Sequence, residues 1–444
     1  MSWEDIYKSK LMSAEAAAKL IQSGDRMWTP LCLGQPSMLI MDLIADRVDE
    51  LKDVEYLNAL TLRPYKIFKP EYRKTFNIVV GFYSNTPHHQ QIAKSEWANF
   101  IPAQSSDVSL KNAARNRVYP RRTGIIAMVT PPDSHGYVSL GLDTFYTGRI
   151  MDQSQFIIGE VNDQMPRTFG DTNIHVSRFT AFFENSSPLP AVPTPPASDV
   201  EIQMAKNVVG LLKDRDCIQV GIGAIPAMIS KLLLESNLKD MGVHTEMAPA
   251  GLHHLVEKGV VSCKYKKINP GKVVLAFTMG DRELYDWLGN NPMCEWRPTL
   301  YANNIGIISQ EENVVAINGS LEIDLTGQIC SESHGNIMRT GTGGQLDFVI
   351  GAFWSPGGKA INLVPSTAMD DTISRIVPYL AKGARVTVPR HYAQYIVTEY
   401  GVADLTGRAE PERAEALIKV AHPKFRDELE KGAREKGLLR KKTF

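Results

Sequence analysis

Apolar residues along this chain recur in two rhythms, short continuous runs of strand length and longer stretches at helical spacing, and the two alternate through both halves. Cys217-Ile218-Gln219-Val220 predicts a buried strand. Gly221 to Gly223 form the turn after it, and Pro226 presets the first turn of a helix whose apolar positions are Met228, Ile229, Leu232 and Leu233. A β-branched run, Val243-His244-Thr245-Glu246-Met247, predicts a second strand that carries Glu246 to its carboxyl end. Nearer the N-terminus, Ser13-Ala14-Glu15-Ala16 opens a helix through Leu20 and Ile21, and Met27 to Leu33 reads as the first strand. The turn Gly34-Gln35-Pro36 and a further helix follow. The fold class is therefore α/β, two open, mostly parallel sheets covered on both faces.

One passage interrupts the alternation. Ser186 to Ala197 carries Pro188, Pro190, Pro193, Pro195 and Pro196, which favours an extended strap and cannot propagate a helix or a central strand. Directly after it, Ser198 and Glu201 have the form of a capping box, with Ile202, Ala205, Val208, Val209 and Leu212 at helical spacing behind them. The expected organisation is a domain over 1–185, a linker over 186–197 and a domain over 198–444. A chain of 444 residues suits two domains of roughly 200 residues each.

Charge balances at 49 basic and 49 acidic residues, so no footprint for nucleic acid or an anionic membrane exists and a small substrate is expected. Five scattered cysteines, Cys32, Cys217, Cys263, Cys294 and Cys330, have no metal-type spacing and suit buried thiols in a reducing compartment. With no apolar run of membrane length and no signal-like start, a cytoplasmic protein is expected. The pairs His88-His89 and His253-His254 join neighbours that do not share one face of an element, and no Gly-x-Ser-x-Gly elbow occurs. Neither a metal site nor a serine triad is expected.

Candidate chemistry gathers around Glu246. Parallel strands joined by a helix place both carboxyl ends on one sheet edge, so this carboxylate and the amides of the Gly221–Gly223 turn face one crevice. A glutamate can act as a nucleophile when its substrate is already activated, as an acyl thioester is, and exposed glycine amides can stabilise the oxyanion that forms. A lone glutamate after a strand is more often a solvated cap or an ion-pair partner. The turn lacks the third glycine of a dinucleotide fingerprint and the Gly-Lys-Ser/Thr of a phosphate-binding loop. Gly341-Thr342-Gly343-Gly344-Gln345 makes either a tight turn or a close approach for a ligand. Lys359, after Gly357-Gly358, could reach a phosphate, although a solvated lysine is the simpler reading.

Gly221-Ile222-Gly223-Ala224-Ile225-Pro226 with His244-Thr245-Glu246-Met247 resembles the acetyl-CoA hydrolase/transferase family, and within it the 4-hydroxybutyrate and butyryl-CoA:acetate CoA-transferases. Further matching pieces are Pro131 to Gly141, Glu160-Val161-Asn162, Met165-Pro166-Arg167, Asp324 to Gln328, Gly341 to Phe348 and Val397 to Ala403. The resemblance implies two domains of CoA-transferase type with the active site in the cleft between them. It implies Glu246 as nucleophile, with Gly221, Ile222, Gly223, Ala224, Ile225, Asn318, Leu321, Gly343 and Gly344 contacting CoA or the oxyanion. Acyl-CoA and short-chain carboxylates such as acetate, butyrate and 4-hydroxybutyrate are then the substrates. Coenzyme A serves as a substrate, no further cofactor or metal is needed, and a homo-oligomer is expected. An acetyl-CoA hydrolase and a CoA-binding protein without turnover are the alternatives, and a nicotinamide dehydrogenase is disfavoured by the missing fingerprint. Two departures from the family pattern, Trp354-Ser355-Pro356 and Met369-Asp370-Asp371, bear on either the acyl pocket or the surface.

Overall fold

A computed structural model describes residues 1–94, 97–221 and 223–439. Its contacts separate into two compact units. The first comprises Met1–Pro193, Val274–Ala302 and Arg339–Gly343, and the second Thr194–Val273, Asn303–Met338 and the chain from Gly344 onward. This differs from the expected division at a single linker, because two segments of the anticipated C-terminal domain pack in the first unit. Their attachments are long-range hydrogen bonds: for the first segment Thr144 N–H to the Ala276 carbonyl at 2.8 Å and Arg297 to Asp171 at 3.2 Å, and for the second Gln90 Nε2 to the Arg339 carbonyl at 3.0 Å. The proline-rich strap has neither helix nor strand, as expected. Its first half is nonetheless anchored, for Val192 N–H donates to the Gly280 carbonyl and Tyr285 Oη to the Pro190 carbonyl.

The first unit holds a seven-stranded, all-parallel sheet in the spatial order Asn99–Phe100, Phe76–Phe82, Val54–Ala59, Arg26–Trp28, Thr123–Val129, Phe156–Val161, Ala181–Glu184. Every residue of Val54–Ala59, Thr123–Val129 and Phe156–Val161 is buried, the mark of a parallel sheet covered on both faces. The first strand is Arg26–Trp28 and not the longer Met27 to Leu33 run. Pro30 has no N–H for a ladder, Leu31 gives its N–H to Asp143 Oδ2 at 2.6 Å, and Cys32 turns to φ 44°. The first of the expected helices is likewise shorter, Ala14–Ala18, with Ser13 as its cap.

The second unit holds a six-stranded sheet in the order Gly242–Val243, Cys217–Val220, Val314–Gly319, Lys359–Leu363, Tyr395–Thr398, Gly401–Asp404, parallel except for the last. In chain order the parallel strands run 2-1-3-4-5, which places the switch point between the ends of Cys217–Val220 and Val314–Gly319. The helix Asp199–Val209 begins with the expected Ser198–Glu201 capping box and buries Met204, Ala205 and Val208. Helix Gln345–Trp354 lays Phe348 and Ala352 against Val314 and Ala316 of the central strand. That packing fixes where its N-terminus points. All five cysteines are buried thiols, and among the described residues no helix is long and apolar enough to cross a membrane.

Candidate active site

At the switch point of the second unit, Gly221 N–H donates to the Ile317 carbonyl at 3.2 Å and continues the strand ladder by one bond. Gly223 then caps the helix Ala224–Glu235 at φ 125° and ψ −170°, a backbone conformation that favours glycine, with open space where a side chain would project. Ala224 and Ile225 supply the first N–H groups of that helix, which have no acceptor within it, and Pro226 supplies none. Ile222 lies outside the described residues. Asn318, at the end of the neighbouring strand, pairs its carboxamide with Gln219 in two hydrogen bonds of 3.0 and 3.2 Å. Leu321 is engaged at both ends of its backbone, its N–H on the Cys330 carbonyl at 2.8 Å and its carbonyl on Arg375 at 3.3 Å.

Glu246 lies beyond its strand. The ladder stops at Gly242–Val243, so the expected strand is shorter and Glu246 stands in a bend three residues past its end. His244 N–H still reaches the Ile218 carbonyl at 3.3 Å, and the buried Thr245 hydroxyl donates to the Met247 carbonyl at 3.0 Å. Beneath them the buried Lys266 ammonium donates to the carbonyls of Val243 at 2.9 Å and Lys272 at 2.8 Å. The bend is thus pinned by side chains where the sheet no longer holds it.

The half-buried Glu246 carboxylate meets two partners. Oε2 accepts from Nδ2 of the fully buried Asn303 at 2.5 Å. Gly344, the N-cap of helix Gln345–Trp354, lies against the same oxygen, for a Cβ there would stand 1.9 Å from Oε2 and 2.3 Å from Asn303 Nδ2. No side chain larger than hydrogen fits there. Asn303 Nδ2 also donates to Asp347 Oδ2 at 3.3 Å, and Asp347 is fully buried in the first turn of the same helix. Asn303 is not singled out by sequence pattern, and Asp347 falls within the Gly341 to Phe348 stretch that carries the resemblance without a role of its own there. An asparagine one residue before another helix cap and an acid in a first helical turn are ordinary features.

The remaining candidates fall elsewhere. Gly343 belongs to the first unit, with φ 57°, its carbonyl on Ser105 N–H at 2.9 Å, and the Phe82 ring 3.0 Å from a would-be Cβ. Lys359 is neither solvated nor available to a phosphate, since its ammonium pairs with fully buried Asp216 at 3.1 Å. Burial raises the Asp216 carboxyl above the ordinary carboxylate range, and Lys359 offsets part of that. Trp354 is 63% exposed at the far end of its helix, and Met369-Asp370-Asp371 form an exposed hairpin tip with φ of 52°, 52° and 59°; both departures lie at the surface of their unit. His253 and His254, though adjacent in sequence, bring their ring centroids to 3.9 Å with the planes tilted by 47°.

A parallel α/β unit that holds a carboxylate against an amide donor and a glycine-capped helix N-terminus is suited to acyl transfer from an activated carbonyl. Residues 1–193 match the acetyl-CoA hydrolase/transferase N-terminal domain and residues 280–433 the C-terminal domain of the same name. The chain belongs to the acetyl-CoA hydrolase/transferase family. It is 39% identical over 429 residues to 4-hydroxybutyrate coenzyme A transferase of Clostridium kluyveri, covering 97% of this chain and 98% of the relative. To butyryl-CoA:acetate CoA-transferase of Anaerostipes caccae it is 35% identical, covering 99% of each chain. Among solved structures, RipA from Yersinia pestis superposes with a TM-score of 0.90 at 33% identity, over 99% of this chain and 100% of that one.

Proposed function

We propose that this protein is a CoA-transferase that moves coenzyme A between a short-chain acyl-CoA and a free carboxylate, with Glu246 as the covalent carrier. The observation that carries the reading is the Glu246 carboxylate, held by Asn303 at 2.5 Å against the bare Cα of Gly344, in a chain similar over its length to named CoA-transferases. A Glu246 oxygen attacks the acyl carbonyl carbon, the C–S bond breaks, and CoA leaves as the thiolate from a mixed anhydride. The thiolate attacks the glutamyl carbonyl, the anhydride C–O bond breaks, and the first acid departs as its carboxylate, leaving a glutamyl-CoA thioester. An incoming carboxylate reverses both steps and leaves as the new CoA ester. The Asn303 N–H suits this sequence because it addresses the glutamyl oxygen, where negative charge accumulates each time that carbonyl is attacked. The helix terminus behind Gly344 adds a favourable field for the same charge. Acetate, butyrate and 4-hydroxybutyrate are the carboxylates we assign, and the C. kluyveri and A. caccae relatives are named for them.

Intact-mass analysis tests the carrier. Incubation with acetyl-CoA or butyryl-CoA and no acceptor should add CoA less one water to the protein, at Glu246 by peptide mapping, and added acetate should discharge it. Glu246→Gln, nearly isosteric, should form no adduct and lose several orders of magnitude in exchange. Steady CoA release without an acceptor and without any adduct would favour a hydrolase. Adduct formation in Glu246→Gln would remove Glu246 from the role.

A further inference from the structure

Asn303 sits between two carboxylates, and that position constrains its chemistry. A carboxamide has a donor end and an acceptor end of almost equal size, so its orientation is decided by its neighbours. Here Nδ2 addresses Glu246 Oε2 at 2.5 Å and Asp347 Oδ2 at 3.3 Å, one hydrogen for each, while Oδ1 is buried and has no hydrogen-bond partner among the described residues. Rotation by half a turn would set Oδ1 against two acceptors.

An acid in a first helical turn can simply complement the helix dipole, and such residues are ordinarily solvated. Asp347 is not: it is fully buried, and its helix is locked to the sheet by Phe348 and Ala352. We infer that Asp347 is a positioning residue for the transfer reaction, taking the second Asn303 N–H so that the first stays on the glutamyl oxygen throughout the cycle. This rests on the reading of Glu246 as the covalent carrier. While Glu246 is a carboxylate, its own charge orients Asn303. Once it is an anhydride or a thioester, that charge is gone and its carbonyl is a weaker acceptor. The Asp347 carboxyl oxygen, which the transfer chemistry leaves unchanged as an acceptor, is then what keeps the donor end of Asn303 in place for the next attack. Its influence should therefore fall on the steps at the acylated glutamate, and little on the binding of acyl-CoA.

Asp347→Ala removes the acceptor and should lower kcat for exchange by about tenfold to a hundredfold, less than the loss of a whole oxyanion donor, with KM for acyl-CoA within about threefold of wild type. Discharge of a preformed glutamyl-CoA adduct by acetate should slow by the same factor. Asp347→Asn, which keeps an acceptor oxygen, should recover most of the rate. The decisive comparison is the double variant. In an Asn303→Ala background, Asp347→Ala should change kcat by less than about threefold, because a residue acting through Asn303 has nothing left to act on. If Asp347→Ala does not fold, Asp347→Ser, too short to reach Asn303 but compatible with a first helical turn, takes its place. Multiplicative losses in the double variant, or a wild-type kcat in the single one, would overturn the inference. Absence of any CoA adduct in the wild-type enzyme would instead overturn the carrier reading beneath it.

Discussion

A methyl group at Gly344 would coincide with the Glu246 carboxylate, since its Cβ would lie 1.9 Å from Oε2. Gly344→Ala must therefore push the carboxylate off Asn303, and with Glu246 as the proposed carrier a displacement of about an ångström costs on the order of a hundredfold in rate. We expect exchange to fall by at least that factor with a melting temperature close to wild type. Gly343→Ala differs because its problem is backbone: φ is 57°, and an L-residue there costs about 1–2 kcal/mol. It should show first in the melting curve. Paired kinetics and circular dichroism on the two variants check the contrast, and equal behaviour would count against it. The same contrast marks what the sequence disclosed at this scale. Glu246 was legible because a β-branched run ends beside it, and Gly344 because glycines cluster. Asn303, the residue bonded to Glu246, was not, since it lies 57 positions away and its neighbours carry no periodic or capping signal that points to it.

Elements were legible where their signals are local. The Ser198–Glu201 box, the Gly221–Gly223 turn and the helix entered through Pro226 all appear in the structure, for each depends on residues within one helical turn of one another. Strand ends were not legible when they depend on distant partners. The first strand stops where Asp143, 112 residues from Leu31, takes the Leu31 N–H, and the strand before Glu246 stops at Val243, whose carbonyl is held by Lys266. The Lys266 contact yields an element-scale prediction. Lys266→Met keeps the buried stem and deletes the ammonium that holds the Val243 and Lys272 carbonyls, at about 1–3 kcal/mol for the buried Val243 carbonyl. Because Val243 leads into the Glu246 bend, both the melting temperature and the exchange rate should drop. A Lys266→Met protein as stable and as active as wild type would mean that the bend is held by the Thr245 hydroxyl and its surroundings without it.

At the scale of the whole molecule, the balanced 49 and 49 charges leave no large net field near neutral pH, so the pH dependence of stability is set by individual buried groups. Two in the first unit oppose each other. Burial pushes the Asp143 carboxyl from 3.8 up to about 7, although the Phe145 and Leu31 N–H groups and the Thr147 hydroxyl favour its ionised form. Burial, with His88 beside it, pushes the His89 imidazole from 6.5 down to about 3; its Nδ1 accepts from Ser84 N–H and its Nε2 bonds Asn58 Oδ1. Between roughly pH 4 and 7 the folded state holds a proton on Asp143 that the unfolded chain has lost, so this group stabilises at low pH and its contribution fades as pH rises. From roughly pH 6.5 down to 3 the unfolded chain protonates the histidine while the folded state does not, so His89 destabilises progressively as pH falls. The two slopes have opposite signs over about pH 4 to 6.5 and partly cancel in the wild type. Asp143→Asn should uncover the histidine, giving a melting temperature that rises with pH across that window more steeply than wild type. His89→Gln, which can keep one acceptor and one donor, should tilt the profile the other way. Differential scanning calorimetry of the three proteins at half-unit pH steps reads the difference curves directly, and two variant profiles running parallel to the wild type would show that neither group titrates between the folded and unfolded states as its burial demands.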